Sequence, residues 1–165
     1  MSIDTRNVKD RRKLRFESIS DMRRDLDAIE AAHKKGMLRR SGNWTEGQIF
    51  SHLAAFIEFG YDGYPRELSP PWFIRMAIRF MRGKYLREGF PAGVKIPRTE
   101  NGTIGMDDVP FEQGLERLRR ALDRLEGTCP ARESPAFGPM SREDKVRMNL
   151  RHGELHQSFL HPEGT

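Results

Sequence analysis

The feature that most constrains the fold is a set of helix-start signals, each followed by apolar residues at helical spacing. In a capping box, a Ser or Thr before the helix accepts the amide three residues later, and the residue there accepts the amide of the Ser or Thr in return. Ser18, Thr45 and Ser141 each begin such a box. Pro110 indicates a fourth start, because proline suits a first helical turn. The sequence therefore predicts four long helices and an all-α fold.

The helical spacing also predicts where these elements begin and end. The four long helices are predicted at residues 18–36, 45–60, 110–127 and 141–161. Residues 72–81 are apolar enough to predict a short extra helix, whereas residues 89–108 are rich in Gly, Pro, Thr and Asn and predict a long loop. The sequence has no evident strand pattern. We therefore expect the four long helices to form a four-helix bundle.

Loop lengths predict how these helices are connected. Short links join the first helix to the second and the third to the fourth, as is usual for antiparallel neighbours. Roughly 50 residues, 61–109, separate the second helix from the third. We therefore expect an up-down-down-up bundle in which this segment crosses over one end and carries the short extra helix. Trp72 and Phe73 are expected to be buried over that end, and a homodimer contact is the alternative.

Length and cysteine content indicate a single intracellular domain. A chain of 165 residues has the length of one ordinary domain with one core, so we expect residues 1–165 to form one unit, with residues 1–14 as a polar N-terminal arm. Cys129 is the only cysteine, which excludes an internal disulfide and a cysteine zinc site. No signal peptide and no membrane-spanning run are apparent, so the expected location is cytoplasmic.

The basic charge of the chain is modest. Lys and Arg total 29 against 24 Asp and Glu, which gives a formal net charge of +5. The densest cluster lies at residues 11–15, and no nucleic-acid-binding motif accompanies it. We interpret the charge as a solvated surface, with nucleic-acid or membrane binding through the arm as the alternative. The expected partner is a small-molecule substrate, with no nucleic acid and no membrane.

Three histidines are candidate metal ligands. His152 and His156 are four residues apart in the last predicted helix, so both rings lie on one face and can reach one ion. His52 lies on the inward arc of the second helix, and a bundle could place it opposite that pair. Three imidazoles from two facing helices are typical of a catalytic metal site, which leaves positions open for water or substrate. The alternative is that these are core histidines whose ring nitrogens hydrogen-bond to protein groups, and spacing alone does not distinguish that from a metal site.

Two amides accompany these histidines on the same helical arcs. Gln48 lies one turn before His52, and Asn149 lies about one turn before His152. Either amide could orient a ligand, either as a second-shell partner or by facing the substrate, and an ordinary buried amide is the alternative.

A general base is harder to identify. Glu154 stands two residues from each histidine of the last helix, on its far side, and is a poor candidate. Glu58 and Asp62 are the only nearby carboxylates that the sequence offers. His33 is interpreted as a structural residue at a helix end, and His161 as a residue of a frayed helix terminus.

Two motifs about a hundred residues apart carry a family resemblance. They are W-T-x-G-Q-I-x-x-H-L at residues 44–53 and R-H-x-x-x-H at residues 151–156, accompanied by R-F-E at 15–17 and F-G-P at 137–139. Together they resemble the DinB-like (DinB/YfiT-like) superfamily, in one of its branches of uncharacterised domains. The resemblance covers nearly the whole chain.

The resemblance implies a four-helix bundle with a long crossover and one divalent metal ion, most often zinc or nickel. Its three histidine ligands correspond to His52, His152 and His156. Relatives include metal-dependent thiol transferases, isomerases that use a small thiol cofactor, and hydrolases. The resemblance therefore implies a metal-dependent hydrolase or a transferase that uses a small thiol cosubstrate. A non-catalytic bundle that is stabilised by metal or binds a ligand is the alternative, because fold and metal transfer between relatives better than reaction does.

Overall fold

The computed structural model describes residues 3–96, 99 and 102–163. This part of the chain is mostly helical, with five α-helices and one two-stranded sheet. The elements are α1 Ile19–Lys34, β1 Leu38–Arg40, α2 Glu46–Asp62, α3 Trp72–Glu88, α4 Phe111–Gly127, α5 Arg142–Gln157 and β2 Leu160–Pro162. Within these residues, no helix combines the length and the apolar character that crossing a bilayer requires.

The capping residues begin their helices as predicted. Both hydrogen bonds of the capping box are present at Ser18 and at Thr45. The Ser or Thr side chain accepts the amide three residues later, and the side chain of that later residue accepts the amide of the Ser or Thr. Ser141 Oγ accepts the amide of Asp144 at 3.1 Å. Because these bonds satisfy amides that have no partner within the helix, they determine where α1, α2 and α5 begin. The four long helices are confirmed to within a few residues at their ends.

The two strands were not predicted from the sequence. β1 and β2 pair antiparallel, with Arg39 opposite His161. The expectation that His161 lies at a frayed helix terminus is wrong, because α5 ends at Gln157 and His161 is buried in β2, with its Nε2 2.9 Å from Ser41 Oγ. Three-residue strands are too short to show the alternation of apolar and polar residues by which a strand is recognised.

The helices pack around one apolar core. α4 and α5 each contact both α1 and α2. The approach of α4 to α2 depends on glycine, because a Cβ on Gly47 would lie 2.0 Å from the carbonyl oxygen of Val109 and one on Gly114 would lie 2.9 Å from that of Gly47. The most deeply buried apolar side chains include Met22, Leu26, Ile29, Phe50, Leu53, Leu118, Leu122, Leu125 and Leu160.

Helix α3 is longer and more exposed than the sequence suggested. It has 17 residues and contacts α5. The expected burial of Trp72 and Phe73 is wrong, since they are 66% and 58% exposed. Arg82 lies on the inward side of the helix and donates to the carbonyls of Phe137 and Pro139, at 3.2 and 2.5 Å. Arg82 and the buried Leu86 therefore hold the inward side of this helix against the protein, while a set of large apolar side chains faces outward.

The described part of the N-terminal arm packs on the protein. Arg12 donates to Asp25 through two nitrogens at 2.6 and 2.9 Å, and its amide donates to the carbonyl of Ser158. Arg11 Nε donates to the hydroxyl of Ser158 at 3.0 Å. Two arginines of the densest basic cluster are thus half-buried at the end of α5, where they hold the arm in place.

Candidate metal site

Three histidines from two helices lie close enough to hold one metal ion. α2 carries His52, and α5 carries His152 and His156 one helical turn apart. The ring centroids are 4.9 Å apart for His52 and His152, and 4.7 Å apart for each of the other two pairs. Each ring offers one nitrogen, and the three nitrogens lie within 4.8 Å of one another.

The backbone determines which nitrogen of His52 is free to bind. Its Nδ1 lies 2.9 Å from the carbonyl oxygen of Ile104. A carbonyl oxygen can only accept, so Nδ1 carries the proton and the neutral ring keeps a lone pair on Nε2. That Nε2 lies 3.1 Å from Nε2 of His152. A histidine whose second nitrogen donates to a carbonyl is the usual arrangement for a metal ligand.

The loop that carries the Ile104 carbonyl contacts α2 through two residues that were not predicted from the sequence, Ser51 and Gly105. Ser51 Oγ lies 3.0 Å from both the amide nitrogen and the carbonyl oxygen of Asp107, so it fastens the loop to α2. Gly105 has a φ of +74°, and a Cβ there would lie 2.7 Å from the Cβ of Ala55. Neither residue has a distinctive sequence pattern: Ser51 is a serine next to a histidine, and Gly105 is one of several glycines in a long loop.

The spacing of the His52 and His152 nitrogens fits a first-row divalent ion. Bonds of about 2.0–2.1 Å at tetrahedral angles place two ligand nitrogens about 3.3 Å apart. The separation of 3.1 Å between Nε2 of His52 and Nε2 of His152 is close to that value. The nitrogen of His156 lies no more than 4.8 Å from the other two. Imidazole donors suit zinc, nickel, copper and iron.

Aromatic rings form the wall of the site. Trp44 stacks on His156, with centroids 4.9 Å apart and 8° between the planes. Phe56 lies 4.6 Å from the ring of His52 and 4.8 Å from that of His152. His52 is buried, whereas the two histidines of α5 are half-buried. The cluster therefore has an apolar wall and is partly open on the α5 side.

The surroundings keep the three rings neutral. Burial lowers the pKa of His52 from 6.5 to about 4, although its bond to the Ile104 carbonyl opposes the shift. Burial, followed by the charge of the neighbouring rings, holds the pKa of His152 and of His156 well below the usual value. Neutral imidazoles keep the lone pair that a metal ion requires.

We expect the protein stripped of metal to lose stability between pH 6.5 and about pH 4. The unfolded chain takes up a proton on His52 in this window while the folded chain does not, so the contribution is fully present above pH 6.5 and is lost as the pH falls. The loss from this residue is on the order of 3 kcal/mol. Urea unfolding of chelator-treated protein across this range measures it.

His52→Asn is the control for this pH dependence. Asparagine keeps an N–H that can reach the Ile104 carbonyl but does not titrate. The variant should show a shallower fall in unfolding free energy over the same window. Identical pH profiles for the two proteins would mean that His52 does not carry the effect.

The two amides beside the cluster hydrogen-bond within their own helices. Gln48 Oε1 accepts the amide of Thr45 at 2.9 Å and completes the capping box. Asn149 Nδ2 donates to the carbonyl of Lys145 at 2.9 Å. These bonds use one polar atom of each amide. A second-shell or substrate-facing role for Gln48 and Asn149 stays a prediction.

The carboxylates that were considered as bases are engaged elsewhere. Glu58 and Asp62 each pair with an arginine of α4, at 2.7 and 3.0 Å. Glu154 accepts the amide of Phe16 at 2.5 Å, away from the three histidines, and burial raises the pKa of its carboxyl group. The sequence-based exclusion of Glu154 agrees with this placement.

Comparison with models of known protein families gives a match over most of the chain. The model of a family described as "Protein of unknown function (DUF1569)" matches residues 8–163. Neither the curated proteins nor the solved structures gave a match. The matched residues include all five helices, both strands and the three clustered histidines.

Proposed function

We propose that this chain, which belongs to the DUF1569 family of proteins of unknown function, is a metal-dependent enzyme that binds one divalent ion, zinc or nickel. The ligands are His52, His152 and His156. One observation carries the proposal: Nε2 of His52 and Nε2 of His152 lie 3.1 Å apart while Nδ1 of His52 is bound to a carbonyl. Because Nδ1 of His52 carries the proton, the lone pair of that ring is on Nε2, next to Nε2 of His152, where one ion would bind both nitrogens.

The donor set favours catalysis, because three protein ligands leave at least one coordination position open. A bound ion of this kind polarises a substrate oxygen and lowers the pKa of a water molecule or a thiol. The residues of the chain would hold the ion, and Trp44 and Phe56 would exclude bulk water from its surroundings. We infer a hydrolase or a thiol-dependent transferase that acts on a small-molecule substrate, with a small thiol as cosubstrate in the second case.

Membership of the DinB-like superfamily is part of the same proposal. The motifs at residues 44–53 and 151–156 contain all three clustered histidines. The contacts of α4 and α5 with both α1 and α2, together with the long connection between α2 and α4, support an up-down-down-up four-helix bundle. A cytoplasmic location also remains a proposal.

Metal content tests the proposal directly. Protein purified without a histidine tag should carry close to one equivalent of zinc or nickel, measured by plasma mass spectrometry. Adding the ion to stripped protein should raise the melting temperature, because a ligand at 100 times its Kd stabilises the folded state by about 2.7 kcal/mol. If no divalent ion copurifies or raises the melting temperature, the enzyme proposal fails.

A non-catalytic metal-stabilised or ligand-binding protein is the second candidate. The engagement of Glu58 and Asp62 by arginines of α4 favours it, because neither carboxylate is free to act as a base. Turnover assays on the metal-loaded protein distinguish the two candidates, with ester hydrolysis and transfer of a small thiol to an electrophile as the reactions. Metal-dependent turnover that is lost in His52→Asn supports the enzyme, and metal binding without turnover supports the second candidate.

A further inference from the structure

Helix α3 presents an apolar surface to solvent. Six large apolar side chains of this helix are exposed: Trp72, Phe73, Ile74, Met76, Phe80 and Met81. Helical spacing places Trp72, Met76 and Phe80 in one row, with Phe73 and Met81 in the adjacent row. Phe80 is 93% exposed. We call these six residues the α3 apolar surface.

The α3 apolar surface is large for a protein surface that contacts only water. A phenylalanine or tryptophan side chain has about 200 Å² of accessible area, so the exposed parts of Trp72, Phe73 and Phe80 alone amount to roughly 400 Å². The largest apolar patch on a typical monomer is about 300–600 Å², and such a patch is often functional. This surface is therefore a candidate binding site.

The charge of the helix indicates which partner. α3 contains five basic residues and one acidic residue, Glu88, so it carries a net charge of +4 in a chain whose net charge is +5. Arg79, Lys84 and Arg87 are exposed beside the apolar rows. A second copy of the helix would bring the same positive charge against itself, and Glu88 already lies 3.9 Å from Lys84. Anionic lipid head groups would complement this charge instead.

We propose that the α3 apolar surface docks on an anionic phospholipid bilayer. An amphipathic helix with arginine and lysine beside exposed tryptophan and phenylalanine lies in the plane of the membrane interface, with its apolar side between the head groups. The arginine side of α3 is anchored to the protein through Arg82, so the helix can dock without leaving the fold. The expectation of no membrane partner rested on the N-terminal arm and on the lack of a spanning segment.

Vesicle cosedimentation of the full chain tests the proposal. The protein should sediment with vesicles of phosphatidylcholine mixed with phosphatidylglycerol and remain in solution with phosphatidylcholine alone. Added salt should weaken the binding, because it screens the head-group charge. Phe80→Glu should weaken binding by at least about tenfold, since it removes a large apolar side chain from the interface and places a negative charge against the anionic head groups.

Met37→Glu is the matched control. Met37 is 42% exposed on the link between α1 and β1, so the substitution makes the same charge change on another surface. It should keep most of the vesicle binding, and both variants should melt near the parent temperature. Analytical ultracentrifugation of the parent and of Phe80→Glu completes the test.

Three results would overturn the proposal. The first is no binding to the anionic vesicles. The second is equal loss of binding in both variants, which would reflect net charge alone. The third is a parent dimer that Phe80→Glu converts to monomers without any vesicle binding, which would identify a second copy of the chain as the partner.

Discussion

His156→Ala is expected to lower the affinity for zinc by more than about 100-fold. The substitution leaves two of the three clustered imidazoles and removes one of the two that lie a single turn apart on α5. Loss of a residue that merely orients a ligand typically costs 10–100-fold in metal affinity, so loss of a ligand should cost more. Competition with a chromophoric chelator at pH 7 measures the dissociation constant.

His33→Ala provides the comparison for that measurement. His33 lies near the end of α1 and stacks on Phe111, with ring centroids 3.7 Å apart and 4° between the planes. It belongs to α1 rather than to the two helices that carry the clustered histidines. The zinc affinity of this variant should stay within about twofold of the parent value, well below the 10–100-fold effect of an orienting residue. An equal loss of affinity in both variants would rule out the ligand assignment.

Glu154→Ala is expected to destabilise the fold by about 3–5 kcal/mol. Arg151 is only 1% exposed, and its Nη2 lies 3.2 Å from Glu154 Oε1 and also donates to the carbonyl of Phe16. Removing the carboxylate leaves a buried guanidinium charge without its counter-charge and frees the amide of Phe16. The midpoint of urea unfolding at pH 7, with its slope, measures the change.

Two further variants test this explanation. Glu116→Ala removes a carboxylate from an ion pair with Arg120 in which both side chains are mostly exposed, so it should cost less than about 1 kcal/mol. The double variant Arg151→Met with Glu154→Ala removes both charges and should be less destabilised than Glu154→Ala alone. A double variant that is more destabilised than the single one would show that the buried charge is not the cause.

The helices could be predicted because their determinants are local. A capping residue acts on an amide three positions away, and an apolar stripe is visible at a spacing of three or four residues. The bounds predicted for α2, which carries His52, and α4 therefore agree with the structure to within two residues. The spacing of His152 and His156 is local in the same sense, since both lie within one turn of α5.

The elements that depend on distant partners were missed. β1 exists because it pairs with β2, more than 100 residues later in the chain. One side of α3 contacts the segment between α4 and α5, where Arg82 donates to two backbone carbonyls, and the opposite side stays exposed. Neither relationship leaves a periodic pattern in the sequence.

The sequence by itself determined the helices and the candidate ligands, because capping, periodicity and an i, i+4 pair act within a few residues. Only the tertiary structure decided that His52 meets the pair on α5, and which of its nitrogens is free to bind. That outcome depends on contacts between segments about 50 and 100 residues apart, namely the bond of His52 to the Ile104 carbonyl, the bonds of Ser51 to Asp107 in the same loop, and the packing of α2 against α5. Such contacts form only after the chain has collapsed, when burial in a shared core brings distant groups within bonding distance.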